Sequence, residues 1–167
     1  MKTLWAGWRS KYVGSEPKKE GCIFCDFPKE AKDRENHILF RGASAYMIMN
    51  KFPYSNGHLM VIPYRHLSDF TLLDREEADE IMLLAKYAVL ALKASYNPHG
   101  FNIGWNIGAA AGAGIADHMH MHIVPRWQGD TNFMPVLGEV KVIPEDLEDS
   151  YNRIKANLDI ILSEQVL

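Results

Sequence analysis

Residues 117–127 read DHMHMHIVPRW. Three imidazoles, His118, His120 and His122, take every second position, with Met119, Met121 and Ile123 alternating among them. In an extended chain, alternate side chains share a face, about 6.6 Å apart. Such a strand would carry one imidazole face and one apolar face. On a helix, His118 and His122 would share a face and His120 would point away. The β-branched Ile123 and Val124 favour the strand, and Pro125 is a place for it to end. A single histidine here would read as a buried, hydrogen-bonded side chain. Three on one face point to metal, proton or nucleophilic work near neutral pH. Neutral imidazole is also a good nucleophile toward phosphorus: a central histidine attacks while a neighbour donates to the phosphoryl oxygens.

The chain has two cysteines, Cys22 and Cys25, in GCIFCDF. Two intervening residues are tight for a structural disulfide, which leaves a zinc half-site or a redox pair. The flanks KKEG and DFPKE read as a loop or knuckle, not as the strand-then-helix setting of a redox motif. Metal is therefore the favoured reading. His66 and one triad histidine could complete a Cys2His2 set, or His66 could be a surface residue after Pro63-Tyr64-Arg65. His58 and His66 bracket the stretch HLMVIPYRH. A strand of that length spans roughly 17 Å, so the two histidines belong to different sites. Residues 106–117, NIGAAAGAGIAD, are rich in glycine and alanine and directly precede the triad. Such a loop lets backbone approach an anion, although it lacks the G-x-x-x-x-G-K-[ST] pattern. Arg126, Lys51 and Arg65 could add positive charge, or simply be solvated. No G-x-S-x-G occurs, and Asp117 would face away from the imidazoles.

These residues need a frame. The chain has 167 residues, 47% of them hydrophobic and 23% charged, with a net charge of −3. That suits one domain with a core, and argues against a broad nucleic-acid surface but not against a nucleotide pocket. No apolar run is long enough for a membrane span, and the N-terminus has no signal-peptide core, so a cytoplasmic protein is expected. HILFRG and AYMIMN (37–50) read as two strands, HLMVIP (58–63) as a third, FNIGWNIG (101–108) as a fourth and HMHMHIV as the fifth. KFPYSNGH is a turn. Asp74 and Glu77 form a capping box ahead of apolar residues at helical spacing, predicting a helix over about 74–95. A second helix is expected in EDLEDSYNRIKANLDIILSEQ. Trp5, Trp8 and Tyr12 are expected to pack. Hairpin-linked strands with segregated helices make an α+β fold.

HMHMHIV fits H-φ-H-φ-H-φ-φ, and with NGHLMVIPYRH, NIGAAAGAG and the intervening helix it resembles the histidine triad (HIT) superfamily. LWAGWR near the start and PRWQGDTNFMPVLGEVKVIPE after the triad look like the branch holding bacterial diadenosine tetraphosphate phosphorylases, relatives of the fragile histidine triad protein. The resemblance implies an N-terminal extension (1–19), a HIT domain (20–127) and a C-terminal extension with a helix (128–167). It implies a five-stranded antiparallel sheet continued into a homodimer partner. By resemblance, His120 attacks the α-phosphorus of a nucleotide and carries AMP as a phosphoramidate. His122 contacts phosphate and helps the leaving group depart, and His58 supports the nucleophile. Asn50 would contact ribose and Asn106 phosphate.

Some family members hold zinc through residues that match Cys22, Cys25, His66 and His118. Such a zinc would be structural, with no metal needed for the phosphoryl chemistry. Many hydrolase members have Gln just before the triad, where this chain has AGAGIAD. Ala113 and Gly114 there would leave room and bare N–H groups, favouring phosphate over water as acceptor. Trp127 likewise looks like the phosphorylase branch and is expected to bind substrate. The leading expectation is phosphorolysis of diadenosine tetraphosphate to ATP and ADP. The alternatives are a hydrolase of dinucleoside polyphosphates or AMP phosphoramidates, a zinc-stabilised nucleotide-binding interaction protein, and a catalytic zinc enzyme using His118, His120 and His122.

Overall fold

The alternation of side chains along the central strands dictates a sheet buried on both sides. In the computed structural model, which describes residues 21–130 and 145–164, strand β2 (Ala45–Met49) is buried at all five positions, and β3 (Leu59–Pro63) is too. Three further strands flank them: β1 (Ile38–Arg41) pairs with β2 on one side, and on the other β5 (Met121–Arg126) lies between β3 and β4 (Gly100–Trp105). The order is β1-β2-β3-β5-β4, and every pairing is antiparallel. This is the expected α+β architecture. Trp5, Trp8, Tyr12 and the stretch 131–144 lie outside the described residues.

One face of the sheet carries the main core. Met47, Met49, Leu59, Val61, Met121 and Ile123 meet helix α2 (Arg75–Tyr96) and helix α3 (Leu147–Glu164) through Ile81, Leu84, Leu92, Ile154 and Leu158. Each such aliphatic side chain contributes roughly 1.5–3 kcal/mol by leaving water, and Leu92→Ala would cost about 2–5 kcal/mol once the cavity is counted. The opposite face packs Ile48, Met60 and Ile62 against Phe24 of a one-turn helix, α1 (Ile23–Asp26). That face carries the histidines.

Helix α2 begins where the sequence says. The Asp74 carboxylate accepts from the Glu77 backbone N–H (2.8 Å), and Glu77 returns the bond to the Asp74 N–H (3.1 Å). It ends at Asn97, which takes a left-handed conformation before Pro98. Gly57 also has a positive φ of 72°, and a Cβ there would come within 2.7 Å of Leu92. Only glycine lets the turn close against α2 and deliver His58 to the start of β3.

Three boundaries differ from expectation. The fourth strand stops at Trp105, because a 3-10 turn over Ala109–Ala111 takes up the chain beyond it. Pairing of the fifth strand starts only at Met121, so His118 and His120 precede the ladder. It then continues through Pro125. Pairing with β3 ends at Ile123, so the missing N–H of Pro125 falls where β5 has a partner on one side only. The C-x-x-C segment is a helical turn rather than a loop, with the Cys25 and Asp26 N–H groups on the Cys22 carbonyl. No helix among the described residues is long and apolar enough to cross a membrane.

Candidate active site and metal site

Hydrogen-bond partners assign the imidazoles their protons. His120 lies 2.9 Å through Nδ1 from the His118 carbonyl oxygen, which can only accept. Nδ1 therefore carries the hydrogen and Nε2 carries the lone pair. Burial holds this imidazole below its ordinary pKa, against the opposing pull of that hydrogen bond. His120 is a neutral, nearly buried ring with one free nucleophilic nitrogen.

His58 is fixed from the other direction. The Tyr54 backbone N–H donates to His58 Nδ1 (3.1 Å), so that nitrogen bears no hydrogen. Its Nε2–H then donates to His122 Nδ1 at 2.9 Å. His122 must in turn carry its hydrogen on Nε2 when neutral. The result is a directed chain from the Tyr54 N–H through two imidazoles to an outward-facing N–H donor. Asn50 adds to it: its Oδ1 accepts from the Phe52 N–H (2.9 Å), which turns its NH2 toward His58 Nδ1 (3.3 Å). The Asn106 amide lies 3.3 Å from His122 Nε2. It can present its oxygen to that N–H, or set its own NH2 beside it so that both donors face an anion. The His120 and His122 rings are 4.7 Å apart at 77°. An imidazole lone pair and an N–H donor thus stand side by side.

His118 belongs elsewhere. Its Nε2–H donates to the Pro63 carbonyl (2.9 Å), leaving the Nδ1 lone pair toward Cys22 Sγ (3.2 Å) and Cys25 Sγ (3.5 Å). His66 Nδ1 is 3.4 Å from Cys25 Sγ. The four potential ligand atoms lie within 4.8 Å of one another. Tetrahedral zinc with the usual Zn–S and Zn–N bonds holds its ligand atoms roughly 3.3–3.8 Å apart, so the donor set and spacing fit that ion. A ring N–H on a backbone carbonyl is also the arrangement that orients a metal-binding imidazole. Burial, with Cys22 beside it, raises the Cys25 pKa, so that thiol alone favours its protonated form and a dication would reverse this. The three triad imidazoles do not converge on one point, which removes the geometry of a three-histidine metal site.

The remaining expected residues divide. Ala113 is buried, and its N–H is not bare: it donates to the Gly108 carbonyl at 3.4 Å. Gly114 faces open space, with nothing within 4 Å of an added Cβ. Trp127 follows β5, at the end away from His122, and meets Tyr96 edge-on at 6.4 Å. Arg126 is engaged by Asp130 and Asn102, and Arg65 by Glu77 and the Leu72 carbonyl. Lys51 lines a cavity of about 460 Å³ beside the start of α3. The other two histidines are structural: His37 packs edge-on against Tyr151, and His99 accepts from the Gln128 N–H. Tyr54, unassigned by the sequence, contributes its N–H and lays its ring over His58 (4.6 Å) and His122 (5.6 Å).

Residues 31–129 match the family model of the HIT domain. The chain belongs to the HIT family. A HIT relative named AP-4-A phosphorylase, from Mycobacterium tuberculosis, is 38% identical over 158 residues, covering 90% of this chain and 80% of its own. Among solved HIT structures, a zinc-bound histidine triad family protein from Mycobacterium smegmatis superposes with a TM-score of 0.70 at 26% identity, covering 86% of this chain and 97% of that one. A hypothetical histidine triad nucleotide-binding protein from Sulfolobus tokodaii gives 0.66 at 26% identity, over 84% and 93%.

Proposed function

We propose that this HIT protein is a nucleotidyl transferase that cleaves diadenosine tetraphosphate with inorganic phosphate, through an AMP carried on His120. The observation that carries the reading is the pairing of an imidazole lone pair on His120, set by the His118 carbonyl, with an N–H donor on His122, set by His58. In the first step the His120 Nε2 lone pair forms a P–N bond to the α-phosphorus, and the P–O bond to the bridging oxygen breaks. ATP leaves, its departing oxygen facing the His122 Nε2–H. Positive charge on the His120 ring is shared through Nδ1–H with the His118 carbonyl. In the second step a phosphate oxygen attacks the same phosphorus, the P–N bond breaks, and ADP departs. Two steps with one covalent carrier replace one difficult displacement, and fixed donors lower both barriers.

Asn106 is read as a phosphate contact and Asn50 as a ribose neighbour that also steadies His58. Gly114 keeps the loop open on the acceptor side, Ala113 closes it from beneath, and Trp127 serves a more distant part of the ligand. The 38% identical relative supports phosphate as the acceptor. We read Cys22, Cys25, His66 and His118 as a structural zinc site. With four protein ligands it has no open position, so zinc would anchor α1 and the chain entering β5. The β4 edge, with Ile103 half exposed, is read as the seam where a second copy continues the sheet.

The deciding experiment is a product assay with and without phosphate. ATP plus ADP formed only with phosphate supports the reading. ATP plus AMP formed in its absence makes water the acceptor, and the protein a hydrolase. No turnover of diadenosine tetraphosphate in either tube refutes the substrate.

A further inference from the structure

We propose that Phe24, one of the two residues between the cysteines, is a positioning residue for His120. This rests on His120 as the nucleophile, and the test below separates the two claims. The hydrogen bond from Nδ1 to the His118 carbonyl pins one atom of the His120 ring. A ring pinned at one atom can still rock and sweep its far nitrogen off line. Two neighbouring rings limit that motion: His122, with centroids 4.7 Å apart, and Phe24, at 5.0 Å and 59°. His122 has its own donor to present. Phe24 has no polar task, and it is 4% exposed, wedged among Ile38, Tyr46, Ile48, Met60 and Ile62.

The placement of Phe24 is fixed from both sides. Its carbonyl accepts from the Tyr46 hydroxyl at 2.8 Å, tying α1 to β2. Cys22 and Cys25 flank it in sequence and turn their sulfurs toward His118, whose ring Phe24 meets edge-on at 5.6 Å. Whatever holds the two sulfurs therefore also holds the Phe24 ring against the nucleophile. A side chain that only fills the core would set stability. A positioning ring also sets the rate of the covalent step, while leaving substrate affinity alone.

The test uses the full chain as isolated, with Phe24→Leu as the main variant, Phe24→Met as a second, and Ile23→Ala as the control. Leu and Met keep apolar bulk but remove the flat ring. Ile23 lies in the same turn and is 41% exposed. Four readouts are taken: bound zinc, melting temperature, single-turnover formation of adenylylated His120 with kcat and KM, and the His120 ring signal in a carbon–proton NMR spectrum at one fixed pH. Folded, zinc-retaining Phe24 variants should form the adduct roughly 10- to 100-fold more slowly, the scale of a misplacement near 1 Å. KM should stay within about twofold, since ground-state binding is untouched. The His120 signal should broaden or split, and Ile23→Ala should match wild type. A wild-type adduct rate with an unchanged His120 signal overturns the proposal. A wild-type chain that forms no adduct refutes the nucleophile reading instead. The ring signal of Phe24→Leu then decides alone: broadening supports the positioning role, and an unchanged line overturns it.

Discussion

His58→Phe isolates the proton order of the site. The substitution keeps a buried flat ring and deletes both nitrogens. Three hydrogen bonds go: the Tyr54 N–H and the Asn50 NH2 to Nδ1, and Nε2–H to His122 Nδ1. His58 is fully buried, so the Tyr54 N–H that faced it loses its acceptor. His122 is 8% exposed, so its Nδ1 loses an acceptor bond at a stability cost of about 1–3 kcal/mol. The catalytic cost has two parts. Without a donor opposite Nδ1, neutral His122 divides between its tautomers, and if they are equally populated the competent one falls by about twofold. Freedom of the ring adds on the order of tenfold to a hundredfold. Together kcat should fall roughly 20- to 200-fold, about 1.8–3.1 kcal/mol of transition-state stabilisation. KM should change little. Steady-state kinetics give the rates, and nitrogen NMR of the His122 ring gives the tautomer. A His58→Phe enzyme within about threefold of wild type would refute the orienting chain. A loss as complete as that of His120→Gly would give His58 a larger part than orientation.

Three other outcomes are expected. The Glu80 carboxylate accepts from the N–H groups of Ala43 (2.7 Å), Ser44 and Ala45 (3.0 Å) and from the Ser44 hydroxyl. Burial alone would raise its pKa, but these donors outweigh it and hold the group below the ordinary value. The resulting stability is complete above the unfolded pKa of about 4.3 and is lost as pH falls through the lower folded value. Glu80→Gln should therefore cost about 1–2 kcal/mol at neutral pH and less in acid, and urea melts at stepped pH showing a constant deficit would contradict this. Chelation should remove one zinc per chain and lower the melting temperature by roughly 8–16 °C, taking zinc at a thousand times its Kd. Activity should decay with the fold, and instant loss from an intact fold would point to a catalytic metal. Ile103→Lys should turn a dimer into a monomer in sedimentation, and unaltered sedimentation would remove β4 as the seam.

What the sequence made legible was whatever rests on local periodicity. Asp74 with Glu77 announced the start of α2, and the alternation in HMHMHIV announced which side chains leave the core. Gly57 marked the turn before His58. Strand ends were less legible because they depend on partners. β5 begins pairing only where β3 and β4 reach it, and Pro125 is tolerated because β3 has stopped there. The helical turn around Cys22 was hidden for a similar reason. Four residues carry too little periodicity to show a helix, and the Tyr46 hydroxyl that anchors it comes from another strand. The Glu80 latch joins residues more than thirty positions apart, and nothing in GASA or in the helix pattern names that partner. The Ala113 N–H, expected to be free, is consumed by Gly108 within the tight loop that makes Gly114 accessible.

The deeper illegibility concerns the histidines themselves. Four chemically identical side chains acquire different roles from the group opposite one ring nitrogen, a backbone group for three of them and the His58 ring for His122. A carbonyl at Nε2 turns the Nδ1 of His118 toward two sulfurs. A carbonyl at Nδ1 leaves the lone pair of His120 on Nε2. An N–H at Nδ1 makes His58 a donor, and His58 makes His122 a donor in turn. Exchange a carbonyl for an N–H at any of these points and the same residue would do the opposite. The spacing H-x-H-x-H fixes that three imidazoles are near one another. The division of labour is fixed by Pro63, His118 and Tyr54 acting through their main chains, where side-chain identity leaves no mark. A substitution that preserves every histidine can therefore still abolish the chemistry, if it rotates one of those three peptide units.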